Sequence, residues 1–284
     1  MAGMVVKTNM DALSIENTLS STNSTVSSSL EKLSTGLSIN SAADDPAGYA
    51  IANGFKAKIA SMQVAAQNAA EATSMLQTAD GAYSQINDIL VQMKSLATEA
   101  SSGQESPSNL SSLNGEFADL QDEIDHIAGS TQYGSINLID GNASATAGIT
   151  FQIGATNGPG NSMCVQFNGA TTACLGVSGT SNSISIDSLT SAQAAMTALD
   201  SALTSINAYM GTVGGLQNQL QYSINNITQS IQNYTSSEST IEDVDMASEV
   251  STLTKNQILQ QSAMAMLAQA NAEPQNVLKL LQSI

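Results

Sequence analysis

The sequence predicts a mainly α protein: an elongated antiparallel helical bundle, or coiled coil, built from both termini, with a small β-hairpin region in the middle. Three observations carry this. Apolar residues recur at steps of three, four and seven over long stretches at both ends. Between those stretches, from about 131 to 188, the period drops to two, and Gly, Asn, Thr and Ser accumulate. Aromatics make up only 4% of the 284 residues although apolar content is an ordinary 42%. The apolar mass is therefore Ala, Leu, Ile, Val and Met, which suit close helix–helix contact better than a thick globular core.

The first stripe runs through Ile15, Leu19, Val26, Leu30, Leu33 and Leu37 on a Ser/Thr/Asn-rich surface. Those polar residues lie roughly a few tenths of a kcal/mol below Ala in helix propensity, so this helix is marginal alone. Ser34-Thr35-Gly36 interrupts it, and Asp44-Asp45-Pro46 reads as a new helix start, with acids and Pro in the first turn. Met75, Leu76, Ala79, Tyr83, Ile86, Leu90, Met93, Leu96, Ala97 and Ala100 then form a long stripe, which Ser101-Ser102-Gly103 and Pro107 end. A third helix is expected from about Asn109 to Ile127, with Leu113, Phe117, Leu120, Ile124 and Ile127 on one face.

In the middle, Ile149, Phe151 and Ile153 alternate with polar residues, as do Met163, Val165 and Phe167, and Ile184 and Ile186. Asp140-Gly141, Asn157-Gly158-Pro159-Gly160 and Asn168-Gly169 are turn signals between them, so short hairpins are expected. Beyond them a stripe from Ala195 and Met196 through Leu199, Ile206, Val213, Leu220 and Ile227 to Ile231 marks another long helix. A final stripe passes through Val250, Leu253, Leu267, Val277, Leu278 and Leu281. Two marginal terminal helices do not bury such stripes within one chain, so self-assembly is expected to finish the core.

Charge narrows the function. The chain carries 24 Asp+Glu against 7 Lys+Arg, a formal net charge of −17. All seven cations are lysines, and His126 is the single histidine. Phosphate neutralisation and polybasic membrane contact both need clustered cations, so nucleic-acid and membrane partners are excluded. One histidine builds neither a His-rich metal site nor an HExxH protease. His126 reads as solvated or capping, with no GxSxG-type nucleophile beside it. The acids Asp122, Glu123 and Asp125, and Asp243, Asp245 and Glu249, lack cation-loop spacing and read as solvated acids at helix starts. No cofactor or metal is expected, and no enzymatic activity. No apolar run reaches the ~18 residues of a membrane span, and MAGMVVKTNMDAL contains no stretch of signal-peptide length.

Two segments are more specific. Leu33-Ser34-Thr35-Gly36-Leu37-Ser38-Ile39-Asn40-Ser41-Ala42-Ala43-Asp44-Asp45-Pro46-Ala47-Gly48 resembles the N-terminal signature of bacterial flagellins. Ile241-Glu242-Asp243-Val244-Asp245-Met246-Ala247-Ser248-Glu249-Val250 resembles their C-terminal signature, as do Ile258-Leu259-Gln260-Gln261, Leu267-Ala268-Gln269-Ala270-Asn271 and Pro274-Gln275-Asn276-Val277-Leu278. The likeness covers about residues 1–140 and 190–284. Within it, Asn40, Ser41, Asp44, Asp45, Gly48, Gln269, Asn271, Pro274, Gln275 and Asn276 are the signature residues. Hook–filament junction proteins share the N-terminal motif and are the alternative; the Ala-Asn-x-x-Pro-Gln-Asn-Val-Leu ending favours flagellin.

The resemblance implies a filament subunit that leaves the cell unfolded through the flagellar export channel and polymerises outside it. It implies an inner coiled-coil domain from 1–42 and 240–284, ordered on assembly. A second helical domain is implied from 43–188 and 189–239, with a minimal variable region at about 141–188. Implied partners are other copies of the chain, an export chaperone, the filament cap and hook-associated proteins. The family usually carries Arg where Ser38 stands and often Lys where Ala43 stands, so ion pairs made there are absent or replaced. Leu96 and Glu116 match the surface that the vertebrate innate flagellin receptor reads, but Gln92 replaces an arginine there, which implies weakened recognition. The Ser/Thr-rich middle is either a bare hydrophilic coat or a carrier of O-linked glycans, as in some members. Cys164 and Cys174 flank Asn168-Gly169 in an expected hairpin. They are either bridged, as an oxidising exterior permits, or two small buried apolar residues.

Overall fold

The computed structural model describes residues 9–103, 106–142, 148–158, 160–178 and 184–282, with side chains through Pro274 in the last helix. Helix α1 (Met10–Thr35) starts at Asn9, whose side chain accepts a hydrogen bond from the Ala12 amide. It stops at Gly36, which sits in the left-handed region at φ 77° and donates its N–H to Lys32 O; glycine takes that conformation without steric cost. Helix α2 (Pro46–Ala100) runs 55 residues without a break. Its start follows from Pro46 and from Asp45, whose carboxylate accepts the Ala47 amide at 3.0 Å. Helix α3 (Pro107–Ser130) has Ser106 as its cap and Pro in its first turn.

Two small antiparallel pairs follow: β1 (Gln132–Tyr133) with β2 (Ile136–Asn137), and β3 (Ile149–Gln152) with β4 (Ser162–Val165). In the second, Ile149 lies opposite Val165 and Phe151 opposite Met163. A four-residue helix α4 (Thr172–Leu175) leads to α5 (Leu189–Glu242), 54 residues, and α6 (Met246–Gln282), 37 residues.

The expected fold class is observed, with three corrections in the middle. The β3–β4 turn spans 153–161, where Asn157-Gly158 signals one, but Asn168-Gly169 closes no hairpin. Residues 172–175 are helical, because Thr171 caps them by accepting the Cys174 amide. Ile184 and Ile186 belong to no strand; the Ile186 N–H goes to the Asn114 side chain instead of to a neighbouring strand.

The chain divides into two compact units, one from residues up to Ala57 together with those from Asn233, the other Lys58–Gln232. In the second unit, every seventh residue of α2 from Ala69 through Leu76, Tyr83 and Leu90 to Ala97 is fully buried. On α5, Ala192, Leu199, Ile206, Val213 and Leu220 do the same. This is the heptad seam of a coiled coil, with alanines letting the backbones approach. The Tyr83 and Tyr209 rings lie 5.9 Å apart across it. Burial pushes the Tyr83 phenol up, and its hydroxyl donates to Asn168 O at 2.6 Å. Phe117 and Ile124 of α3 complete the core.

Candidate functional site

In the first unit the segment between α1 and α2 meets the short turn between α5 and α6. Leu37 and Asp243 form an antiparallel bridge. Ser38 N donates to Glu242 O at 2.6 Å, and Val244 N to Gly36 O at 3.0 Å. Each turn is also held from within. Asp44 Oδ2 accepts from Asn40 N at 3.2 Å, Ser41 N at 2.9 Å and Ser41 Oγ at 3.0 Å, and the Ser41 amide holds the carboxyl below the usual range. Asp245 caps α6 by accepting from the Ala247 and Ser248 amides. Gly48 is buried with no room for a side chain: any Cβ there would lie 2.5 Å from Asp45 Oδ2 and 2.7 Å from Ile39 Cδ1.

The joint has its own ion pair. The Glu242 side chain is 4% exposed, and Lys56 Nζ lies 2.6 Å from its Oε1, with Glu238 at 4.0 Å. Its hydrogen bond to the Glu242 carboxylate raises the Lys56 ammonium above its ordinary value. In the same unit the Phe55 and Tyr234 rings meet 5.6 Å apart, tilted by 38°.

Beyond the joint, α1 packs along α6, antiparallel. The half-buried face of α6 steps by three and four through Leu253, Asn256, Gln260, Ala263, Leu267, Ala270 and Pro274. On α1 the matching face is Ile15, Leu19, Thr22, Val26, Ser29 and Leu33, and its two buried members are the polar Thr22 and Ser29. Gln260 Nε2 crosses to Asn23 Oδ1 at 2.7 Å. The seam is thus thin and partly polar. Much apolar surface points the other way: Leu13, Leu30, Met246, Val250, Ile258, Leu259, Met264 and Met266 are each 46% exposed or more.

The N-terminal helical region of bacterial flagellin, as a family model, matches residues 6–144, and the C-terminal helical region matches residues 196–281. The chain belongs to the bacterial flagellin family. It is 36% identical to a flagellin of Bacillus subtilis (strain 168) over 306 aligned positions, covering 98% of this chain and all of that one. It is 34% identical to the flagellar filament 33 kDa core protein of Treponema phagedenis, again over 98% and 100%. Among solved structures, the Bacillus cereus flagellin crystal structure is 31% identical over 57% of this chain and 88% of that one, with a TM-score of 0.49. The chain is therefore a structural subunit of the flagellar filament and not an enzyme, and the junction-protein alternative finds no support in these names.

Five of the ten residues expected as the family signature shape one turn. Asn40, Ser41, Asp44, Asp45 and Gly48 build the turn into α2. Gln269 and Asn271 lie exposed on α6, and Pro274 sits inside it. Gln275 and Asn276, with the stripe residues Val277, Leu278 and Leu281, lie on the α6 backbone with side chains outside the described set. Of the other stripe residues, Ile15, Leu19, Val26, Leu33, Leu253 and Leu267 line the seam and Leu37 the joint, while Leu30 and Val250 face outward.

In the second unit, Gln92 Nε2 reaches the Glu116 carboxylate at 3.4 Å, both side chains exposed, while Leu96 is 8% exposed and packs in the core. Cys164 on β4 and Cys174 in α4 are both free and exposed, so the bridged and the buried readings are both corrected. The reason is the β3–β4 pairing, which leaves Asn168-Gly169 outside any hairpin. His126 is exposed. Asp125 is exposed but sits late in α3 rather than at a helix start, and it accepts from Thr172 N at 2.8 Å and Thr172 Oγ1 at 2.7 Å, a long-range pairing with no local sequence signal.

Proposed function

We propose that the outward faces of α1 and α6 are the surfaces through which this subunit polymerises, and that the terminal pair orders fully only in the polymer. One observation carries this: the pair buries Thr22 and Ser29 while leaving Ile258, Leu259, Met264 and Met266 half exposed. Half-exposed apolar side chains on a helix face are worth on the order of 1 kcal/mol each when a neighbouring copy buries the rest, about half the value for burying a fully exposed one. A contact repeated head to tail without closing generates a helical polymer. Export in the unfolded state and an extracellular site in the flagellum fit a terminal pair this weakly closed. A chaperone, the filament cap and hook-associated proteins are then the partners that the same chain ends meet before and at assembly.

Ile258→Asp in the full chain tests the surface. Seeded with sheared polymer and followed by electron microscopy, the variant is expected not to extend the seeds while its circular dichroism stays that of the parent subunit. Unimpaired extension would reject the outward-face reading.

For the innate receptor, the exposed Gln92 presents an amide already turned to Glu116 in place of a forked cation. Weakened activation follows, and a reporter-cell assay of the monomer is expected to need at least about tenfold more protein than for Gln92→Arg, the ratio of roughly 1.4 kcal/mol. Equal potency would refute it.

A further inference from the structure

Pro274 lies inside α6. A proline has no N–H, so the carbonyl four residues earlier, on Ala270, receives no helical hydrogen bond from it. That carbonyl has a donor from elsewhere: Asn9 Nδ2 reaches Ala270 O at 2.8 Å, from the far end of the sequence. The other atom of the same amide, Oδ1, accepts the Ala12 amide at 3.0 Å and caps α1. One side chain therefore starts α1 and completes α6.

We propose that Asn9 is a positioning residue that sets the axial register of α1 on α6, and that Pro274 creates the acceptor it reads. The seam itself specifies register poorly, because Thr22, Ser29, Ala263 and Ala270 offer little shape to interlock. A slip by one turn costs such a seam little apolar burial, but it removes the amide from Ala270 and leaves the carbonyl unpaired. Polar pairs placed at single positions are the known way for a coiled coil to fix register at some cost in stability. Asn9–Ala270 and Asn23–Gln260 are two such pins, at sites two heptads apart on α1. A second consequence concerns order of formation. Alone, α6 carries the cost of an unpaired carbonyl at its proline; docking of α1 removes it, so the end of α6 and the start of α1 form together.

The proposal rests on the terminal pair being the polymerising element, and its test separates the two. Asn9→Asp keeps the capping oxygen but replaces the donor with an acceptor. In the full chain it is expected to raise the critical concentration for seeded polymerisation by about five- to tenfold, the effect of leaving one half-buried carbonyl unpaired. Pro274→Ala restores a helical N–H to Ala270, so in that background Asn9→Asp should change the critical concentration by less than about twofold. An unchanged critical concentration for Asn9→Asp, or an equal effect in both backgrounds, overturns the proposal while leaving polymerisation through α1 and α6 intact. Failure of the parent chain to extend seeds would count against that reading instead. Where a variant does not assemble at all, the parent polymer decides: nitrogen–carbon recoupling by solid-state NMR between the Asn9 side-chain nitrogen and the Ala270 carbonyl is expected to give a contact, and its absence overturns the proposal.

Discussion

Lys56 supplies the cation at the joint. Ser38 meets the joint only through its backbone, donating to Glu242 O, and the Glu242 carboxylate takes its counter-charge from α2 instead. Lys56→Met leaves a carboxylate that is 4% exposed without a cation. Because the ammonium is itself 45% exposed, solvent screening reduces the usual cost of breaking a buried pair, to about 1–2 kcal/mol. The variant subunit should melt earlier than the parent at neutral pH, followed by circular dichroism. The sign with pH is fixed by Lys56, whose pKa is raised in the fold from 10.5. Its contribution is whole below that ordinary value and is lost as pH rises through the raised one. The melting difference should therefore hold from pH 7 to about 10 and fall away only as pH climbs past 10.5 through the raised value. A difference that persists in strong alkali would mean that packing, not charge, holds the joint.

At the scale of elements, α3 acts as a clip for the irregular stretch before α5. Asn114 Oδ1 accepts Ile186 N at 2.8 Å, Gln121 Nε2 donates to Val177 O at 2.6 Å, and Asp125 holds the start of α4. Gln121 is 8% exposed. Gln121→Ala leaves the Val177 carbonyl buried and unpaired, a cost of about 1–3 kcal/mol. Hydrogen exchange should rise across 172–178 and 184–186 while the α2 and α5 seam amides stay protected; uniform loosening of the whole unit would contradict a local clip. Nothing in the sequence announces Gln121 or Asp125, because their partners lie 47 to 63 residues away. The stop at Gly36 and the start at Asp45-Pro46 are legible for the opposite reason, since each acts on its immediate neighbours, whereas Ser106-Pro107 opens α3 two residues before the expected Asn109. Apolar periodicity located the terminal stripes but not the whole seam. It passed over Thr22 and Ser29, which are buried, and included Leu30, which is half exposed. A thin seam accepts small polar residues beside its leucines, and further large apolar residues are left for the other face.

For the whole molecule, net charge sets the condition for packing copies together. Each subunit carries −17, and stacking such chains raises repulsion that mobile ions must screen. The screening length falls from about 30 Å at 10 mM salt to about 8 Å at 150 mM. The critical concentration for seeded polymerisation should therefore fall as sodium chloride rises across that range, and a rise would show that attractive ion pairs between copies outweigh the repulsion. The family and the overall architecture were readable because their signals are contiguous runs near each end. The pairing of Lys56 with Glu242 and of Asn9 with Ala270 was not, since only the fold brings those residues together. The joint of Leu37 with Asp243 has one further consequence. Its two halves are separated by most of the chain, so closing it carries the loop entropy of a very long contact, which grows slowly with length but must be met before any seam bond forms. A chain that folds from one end has its first turn waiting for its last. High contact order at this point acts as a timer: the terminal helices stay apart until both turns are in place.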